Sequence, residues 1–508
     1  MRAGSTQPEG GTQVSRGNPD PAALSPLVLL CICAFVLRFS LALWLPNMHA
    51  PDEIFQSIEQ AHRVVFGTGL IPWEFQAGAR SWLLPGFLTG ILKLAGPTAY
   101  LAAVSAVLCL LSLAPVVVGY LWGQRLGGRP TGLLIGAACA VWFELVYFAP
   151  KALSEVIAGH LLLVGMYMAW PGNEEASRRR LVWAGMVLGL ALALRVQLAP
   201  ATGVVGLYVC RTAWREKWAP FIAGAMLVVC AAGLLDWVTW SSPFHSYLLY
   251  FQFHGVLGET NILRRAWTFY FIRLLRTWSI GVVPILYFVY RSVRTMPMVA
   301  GVAAAVILTH TFVPQKLYRY IYPAIPLIVI QAGLGSAQVA GLVSNFAQSS
   351  KRRRLFLWIA GWCLCSGLLA VGPDFRRNWT RNQGIIQAMR ELRASDDACG
   401  VGLWRITWAD SEGYTYLHRD LPLYLLNNEA DFTRLKGGLN YLLARSDRPP
   451  PSGEFTRWKC WAHGGDMGQP VCLYRRPGAC SSENIAERLR LAPDEASENL
   501  LMELKRRQ

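Results

Sequence analysis

Apolar runs long enough to cross a bilayer recur along most of this chain. No other feature constrains its fold so strongly. The first run, from Ser25 to Pro46, carries one charge, Arg38, and reaches the roughly 20 residues that a crossing helix needs. Further spans are expected near 98–122, 130–148, 154–170, 181–193, 198–210, 219–240, 268–290, 297–312, 320–342 and 355–373, making 11 in all. The pair at 181–193 and 198–210 is short for an ordinary crossing. The stretch 81–96 is apolar but shorter still, and is expected to lie along the membrane or re-enter it.

Composition agrees. Of 508 residues, 53% are hydrophobic and only 16% charged, where a soluble domain carries about 25% charged residues. Intrinsic disorder, a coiled coil and a small disulfide scaffold are excluded. The formal charge of +17 invites a nucleic-acid reading, but residues 374–508 hold 20 Lys and Arg against 18 Asp and Glu. Nearly all the excess therefore lies among the apolar spans, where it reports topology, and no nucleic-acid partner is expected.

Lys and Arg collect on the cytoplasmic side of membrane proteins. With the N-terminus in the cytoplasm, 16 of them fall in cytoplasmic segments and 8 in the opposite loops, leaving aside the apolar stretch 81–96. An odd number of spans then puts the C-terminal region outside the cytoplasm. Three parts are expected: a disordered cytoplasmic tail over 1–24, a membrane domain over 25–373, and a non-cytoplasmic soluble domain over 374–508. Short apolar runs at Leu421–Leu426 and Leu439–Leu443 suggest a small mixed α/β domain. A polar helix is expected after Cys480. The soluble part holds Cys399, Cys460, Cys472 and Cys480, which can form disulfides in an oxidising compartment in any of three pairings.

Chemistry concentrates in the first non-cytoplasmic loop, residues 47–97. Pro51 suits the first turn of a helix, and Asp52 and Glu53 follow where the helix dipole favours carboxylates. At α-helical spacing Asp52, Gln56, Glu59 and Arg63 share a face. Ile54, Phe55, Ile58 and Val65 are expected to lie on the membrane as an interfacial helix. Ordinary capping would explain the two acids. The functional alternative is a base at the lipid–water boundary that takes a proton from an attacking sugar hydroxyl.

A second stretch runs from His310 to Pro323. Lys316 and Arg319 lie there on the side opposite the basic loops, and a lipid phosphate gives them a reason to do so. Polar residues also fall in or beside the spans: Arg38, Glu144, Glu155, His160, Arg195, Asp236, Arg273 and Arg276. Such groups are costly in hydrocarbon and often functional, although mutual pairing would account for some. No Cys/His spacing resembles a metal site.

The strings Pro51-Asp-Glu-x-Phe-Gln-x-x-Glu59-x-x-His62, Phe66-Gly, Trp73-Glu, Arg80-Ser and Pro85 resemble the glycosyltransferase family 22 mannosyltransferases, within it most of all those that add the third mannose of the glycosylphosphatidylinositol (GPI) core. Phe312-Val-Pro-x-Lys316-x-x-Arg319-x-Ile-Tyr-Pro323 is similar to the family's second signature. Two positions depart from that signature: Gln315 stands where a histidine is usual, and Leu317 where an acid is. The resemblance implies a GT-C fold, a dolichyl- or polyprenyl-phosphate sugar as donor, a lipid-linked glycan as acceptor, and inverting transfer without metal or other cofactor. It implies Asp52 as the catalytic base, with Glu53 orienting the acceptor or tuning Asp52. Lys316, Arg319 and Arg80 would hold the donor phosphate, and Trp73 would stack on sugar. Gln56, His62, Glu74 and Tyr318 complete the expected substrate-binding set. The implied membrane is that of the endoplasmic reticulum in a eukaryote or the inner membrane in a bacterium.

Two rival readings use the same residues. A transporter or flippase for a lipid-linked sugar also places charges inside a membrane, and predicts inverted repeats, of which none is obvious here. A subunit that kept the fold and lost activity is the other, and the intact Asp52-Glu53 pair weighs against it.

Overall fold

The computed structural model describes residues 21–172, 175–258, 264–343, 348–451, 453–462, 469–483 and 485–493. The expected N-terminal tail falls almost entirely outside these residues. Of the polar helix expected after Cys480, the described part holds only a 3₁₀ turn at Ile485–Glu487 and a bridge of Leu491 to Ile71, a correction, and the rest lies outside the described residues. The membrane domain is all α. Helices Pro21–Trp44, Arg178–Leu194, Ala219–Trp240 and Gln348–Ala370 run unbroken for 17 to 24 residues. Helices Phe269–Trp278 and Val282–Ser292 form one crossing through a short 3₁₀ turn. Four shorter apolar helices, Ser154–Ala169, Ala199–Cys210, Pro297–Phe312 and Ala324–Val339, complete the later crossings.

The helical stretches Leu83–Leu111 and Ala114–Val141 have a different logic. Gly96 (φ +71°) and Gly128 (φ +80°) break them with backbone conformations that favour glycine. The part before Gly96 is therefore a separate short apolar helix, as expected for 81–96. The part between the two glycines is one long crossing, bent where Pro115 interrupts the backbone ladder. The part after Gly128 crosses back. With these two, every expected span has a helical counterpart.

Loop contacts divide into two sets. At one end Arg125 meets Tyr167 and Pro171, Arg180 meets Met168, and Arg354 meets Ala340. At the other lie Asp52, Tyr147, Lys151, Arg195 and Arg319. Close packing is built in: Cβ atoms at Gly185 and Gly189, four apart, would lie 2.1 Å from the Phe221 carbonyl and 2.6 Å from the Ala225 carbonyl, the small-residue contact common between membrane helices.

The C-terminal region forms a five-stranded mixed sheet of β1 (Val401–Trp404), β2 (Leu423–Leu426), β3 (Tyr441–Arg445), β4 (Thr456–Trp461) and β5 (Val471–Arg475), in the order β2-β1-β3-β5-β4. β1 is parallel to β2 and β3, while β5 is antiparallel to β3 and β4. The central apolar runs are buried on both faces, as parallel strands usually are. Cys460 and Cys472 are register partners joined by a disulfide, and Cys399 is joined to Cys480. One face of the sheet shares its core with the loop over 48–70. Met48, Ile54, Phe55 and Ile58 are buried with Ile385, Leu403 and Leu443. The expectation that Ile54, Phe55 and Ile58 rest on the membrane is thus corrected. A folded domain covers them, and its strands lie more than 300 residues away in the chain.

Candidate active site

Ala50 is extended and Pro51 opens the helix, so Asp52 and Glu53 occupy its first turn. Regular α geometry ends there. Residues Ile54–Ile58 form a π turn, closed by the Glu59 N–H on the Ile54 carbonyl. Such turns often mark functional sites, and each takes up about one extra residue. The face expected to unite Asp52, Gln56, Glu59 and Arg63 is therefore split. Asp52 and Gln56 face open space, while Glu59 is fully buried under the C-terminal domain.

Asp52 lies where two spaces meet. On one side is a cavity of about 840 Å³ lined by Arg265, Arg273, Arg276, Lys316, Arg319 and Arg381, with Asp374, His49 and Tyr318 among its other walls. On the other is a narrow cleft of about 60 Å³ bounded by Gln56, Arg80 and Glu155. Asp52 pairs with Arg319 at the junction; the Asp52 side chain is 30% exposed, that of Arg319 4%. Arg319 Nε is also 3.4 Å from Glu155, and Arg195 is 3.5 Å from the same Glu155 oxygen. Asp52, Arg319, Glu155 and Arg195 thus alternate in sign across the site. Burial opposes the charge on Arg319, but Asp52 and Glu155 outweigh it and raise its pKa. Arg319 Nη1 is buried without a hydrogen-bond acceptor among the described residues.

The structure brings some expected residues together and separates others. Lys316 and Arg319 line the large cavity, as does Tyr318, whose hydroxyl donates to Glu144 at 2.5 Å. Arg80 is not with them. It borders the narrow cleft and stacks on Tyr250 at 5.7 Å. Gln56 donates to Glu74 at 2.6 Å. Burial, with a contribution from Asp52 and against the pull of Arg80, pushes the Glu74 carboxyl up to about 7. Glu53 turns away from both spaces: it lies 3.3 Å from Lys151 and accepts from the His49 N–H at 2.9 Å. It fastens the loop rather than meeting an acceptor. Trp73 stacks against Phe253 at 4.1 Å, so that ring surface is already covered. His62 is buried far from the cavities, 2.7 Å from His418 of the C-terminal domain.

Among the intramembrane polar groups, Glu155 pairs with arginines, whereas Asp236 accepts from the Ser246 N–H and hydroxyl. Arg273 and Arg276, notable in the sequence only as charges beside a span, prove to be cavity walls. Arg381 carried no local signal and reaches the large cavity from a loop whose neighbours are set by the fold. Lys151 holds Glu53 and Asn47 beside the site.

Many apolar crossings, a C-terminal sheet domain on one side, and a carboxylate among cations at the membrane boundary define a multi-pass membrane glycosyltransferase of the GT-C fold. ArnT from Cupriavidus metallidurans bound to undecaprenyl phosphate shares that fold: TM-score 0.60, 14% identity, 89% of this chain and 98% of that one covered. A profile of the Alg9-like mannosyltransferase family matches residues 29–398, and the chain belongs to that family. Its relatives include GPI mannosyltransferase 3 of Yarrowia lipolytica, 26% identical over 79% of this chain and 77% of that protein. GPI mannosyltransferase 3 of Trypanosoma brucei brucei is 25% identical over 76% of each.

Proposed function

We propose that this enzyme moves mannose from dolichyl- or polyprenyl-phosphate mannose to a lipid-linked glycan of the GPI type, with inversion and without a metal. The observation that carries the reading is the position of Asp52, on the border between a cation-lined cavity and a second, polar cleft. The donor phosphate occupies the large cavity. Arg319 and Lys316 hold it, assisted by Arg273 and Arg276, and their charge stabilises the phosphate as it leaves. The acceptor enters from the Arg80 and Glu74 side. Asp52 takes the proton of its attacking hydroxyl while the new bond to the anomeric carbon forms and the bond to phosphate oxygen breaks. A single displacement of this kind inverts the anomeric centre.

Two comparisons support the donor class and the acceptor class respectively. ArnT was solved with undecaprenyl phosphate, and relatives are named GPI mannosyltransferase 3. The bias of basic loops supports a site and sheet domain outside the cytoplasm, in the endoplasmic-reticulum lumen or, in a bacterium, the periplasm. The lipid chains of both substrates stay in the bilayer.

The test is purified enzyme in nanodiscs, given polyprenyl-phosphate mannose and a GPI-type mannolipid. The reading predicts a mannosylated lipid whose new linkage has the anomeric configuration opposite to that of the donor, formed equally with excess chelator. A product that retains configuration, or activity that chelator abolishes and Mg²⁺ or Mn²⁺ restores, would contradict it.

A further inference from the structure

The C-terminal sheet domain grips the same helix that carries Asp52. The Glu59 carboxylate is fully buried and forms no ion pair with a described residue. It accepts four hydrogen bonds instead: from the Leu70 N–H at 2.8 Å, the Tyr414 N–H at 2.9 Å, the Thr415 N–H at 2.7 Å and the Thr415 hydroxyl at 2.6 Å. Three of the four come from the sheet domain. Gly413, held at φ +57°, is pressed so close that a Cβ there would lie 2.6 Å from Glu59 Oε1. Around this socket Trp408 packs edge-on against Phe55 and the Tyr100 hydroxyl donates to the Thr415 carbonyl at 2.5 Å. His62 Nδ1 faces the Thr68 carbonyl at 2.7 Å and so carries the proton. Its Nε2 then accepts from His418 Nδ1.

The socket acts at one end of the π turn and Asp52 stands at the other. In an unbroken α-helix positions 52 and 59, two turns apart, point the same way. Here one points into the cavity and the other into the domain, and the π turn between them takes up the difference. Without the socket, relaxation to α geometry would swing the Asp52 turn by about 100°, one residue of helical rotation, away from Arg319.

We infer that Glu59 is a positioning residue: seated in its Thr415 socket, it holds the π turn and keeps Asp52 directed at the transfer site, so that the sheet domain is part of the catalytic geometry. The inference rests on Asp52 being the base.

The experiment compares Thr415→Val, Thr415→Ser, Glu59→Gln and Asp52→Asn in the full-length enzyme in nanodiscs, with kcat and donor KM normalised to folded protein. Thr415→Ser keeps the hydroxyl and retains wild-type kcat. Thr415→Val and Glu59→Gln lose roughly tenfold or more in kcat, since misplacement by about 1 Å can cost up to a hundredfold, while donor KM stays near wild type. Should Glu59→Gln fail to fold, the Thr415 pair still decides. Wild-type kcat in Thr415→Val, with only a lower yield or Tm, would overturn the inference and leave the socket a purely structural contact. Turnover in Asp52→Asn would instead remove the base reading on which it rests.

Discussion

Asp52 and Arg319, 267 residues apart in the chain, form an ion pair at the junction of the large cavity and the narrow cleft. The pair gives Asp52 a fixed direction, and it places the cation that would meet the donor phosphate beside the carboxylate that would meet the acceptor proton. Arg319 in turn is held by Glu155, which Arg195 shares. The geometry is therefore a property of four side chains from four segments.

Replacement of Arg319 tests its role toward phosphate. Arg319→Ala would leave Asp52 without its cation and Glu155 with Arg195 alone, and breaking a buried pair costs about 3–5 kcal/mol, so that variant would lose folded protein. Arg319→Lys keeps the charge but not the planar fork. It is expected to fold and to lower kcat/KM for the donor by roughly 10- to 100-fold, as one to two lost charge-assisted hydrogen bonds would. Steady-state kinetics against donor concentration checks this. An unchanged donor dependence would mean that Arg319 only orients Asp52.

Glu412 gives a pH prediction. It is fully buried, forms no ion pair with a described residue, and its φ of +61° is unusual for a side-chain-bearing residue. Burial pushes its carboxyl well above the ordinary range, with Asn382 and Lys151 opposing and Glu53 adding to the rise. The folded state then binds a proton that the unfolded chain releases, so stability falls as pH rises above about 4.5. Glu412→Gln is expected to raise Tm at pH 7 by more than at pH 5, measured in detergent. An equal or lower Tm at both would show that the carboxyl is ionised and partnered.

The disulfides test sidedness. Peptide mapping of the unreduced protein from native membranes is expected to find Cys399 joined to Cys480 and Cys460 joined to Cys472. Four free thiols would place the sheet domain in a reducing compartment and reverse the proposed topology.

The spans were legible because hydropathy over some 20 residues needs no knowledge of neighbours, and the breaks at Gly96 and Gly128 are local as well. Asp52 was legible for a similar reason: Pro51 and two acids announce a helix start. Arg319 stood out as a cation on the wrong side for topology. What failed was whatever depended on phase or on distant chain. A period of 3.6 residues put Glu59 beside Asp52, and the π turn undid that. Trp73 read as an open sugar platform until Phe253 covered it. His62 and Glu59, members of the same signature as Asp52, face the sheet domain through His418 and Thr415. Nothing within twenty residues of either could have announced those partners. Glu53 resembled a second catalytic acid only because the sequence around it does not show Lys151.

The central claim is that Asp52 is the base of a mannosyl transfer. Its most direct measurement is the transfer of radiolabelled mannose from polyprenyl-phosphate mannose to a mannolipid acceptor, with wild type and Asp52→Asn compared at equal amounts of folded protein. The account predicts labelled product with wild type and a loss of roughly 10²- to 10⁴-fold in the variant, the range of general-base catalysis, with thermal stability close to wild type. Normal turnover by Asp52→Asn would contradict it.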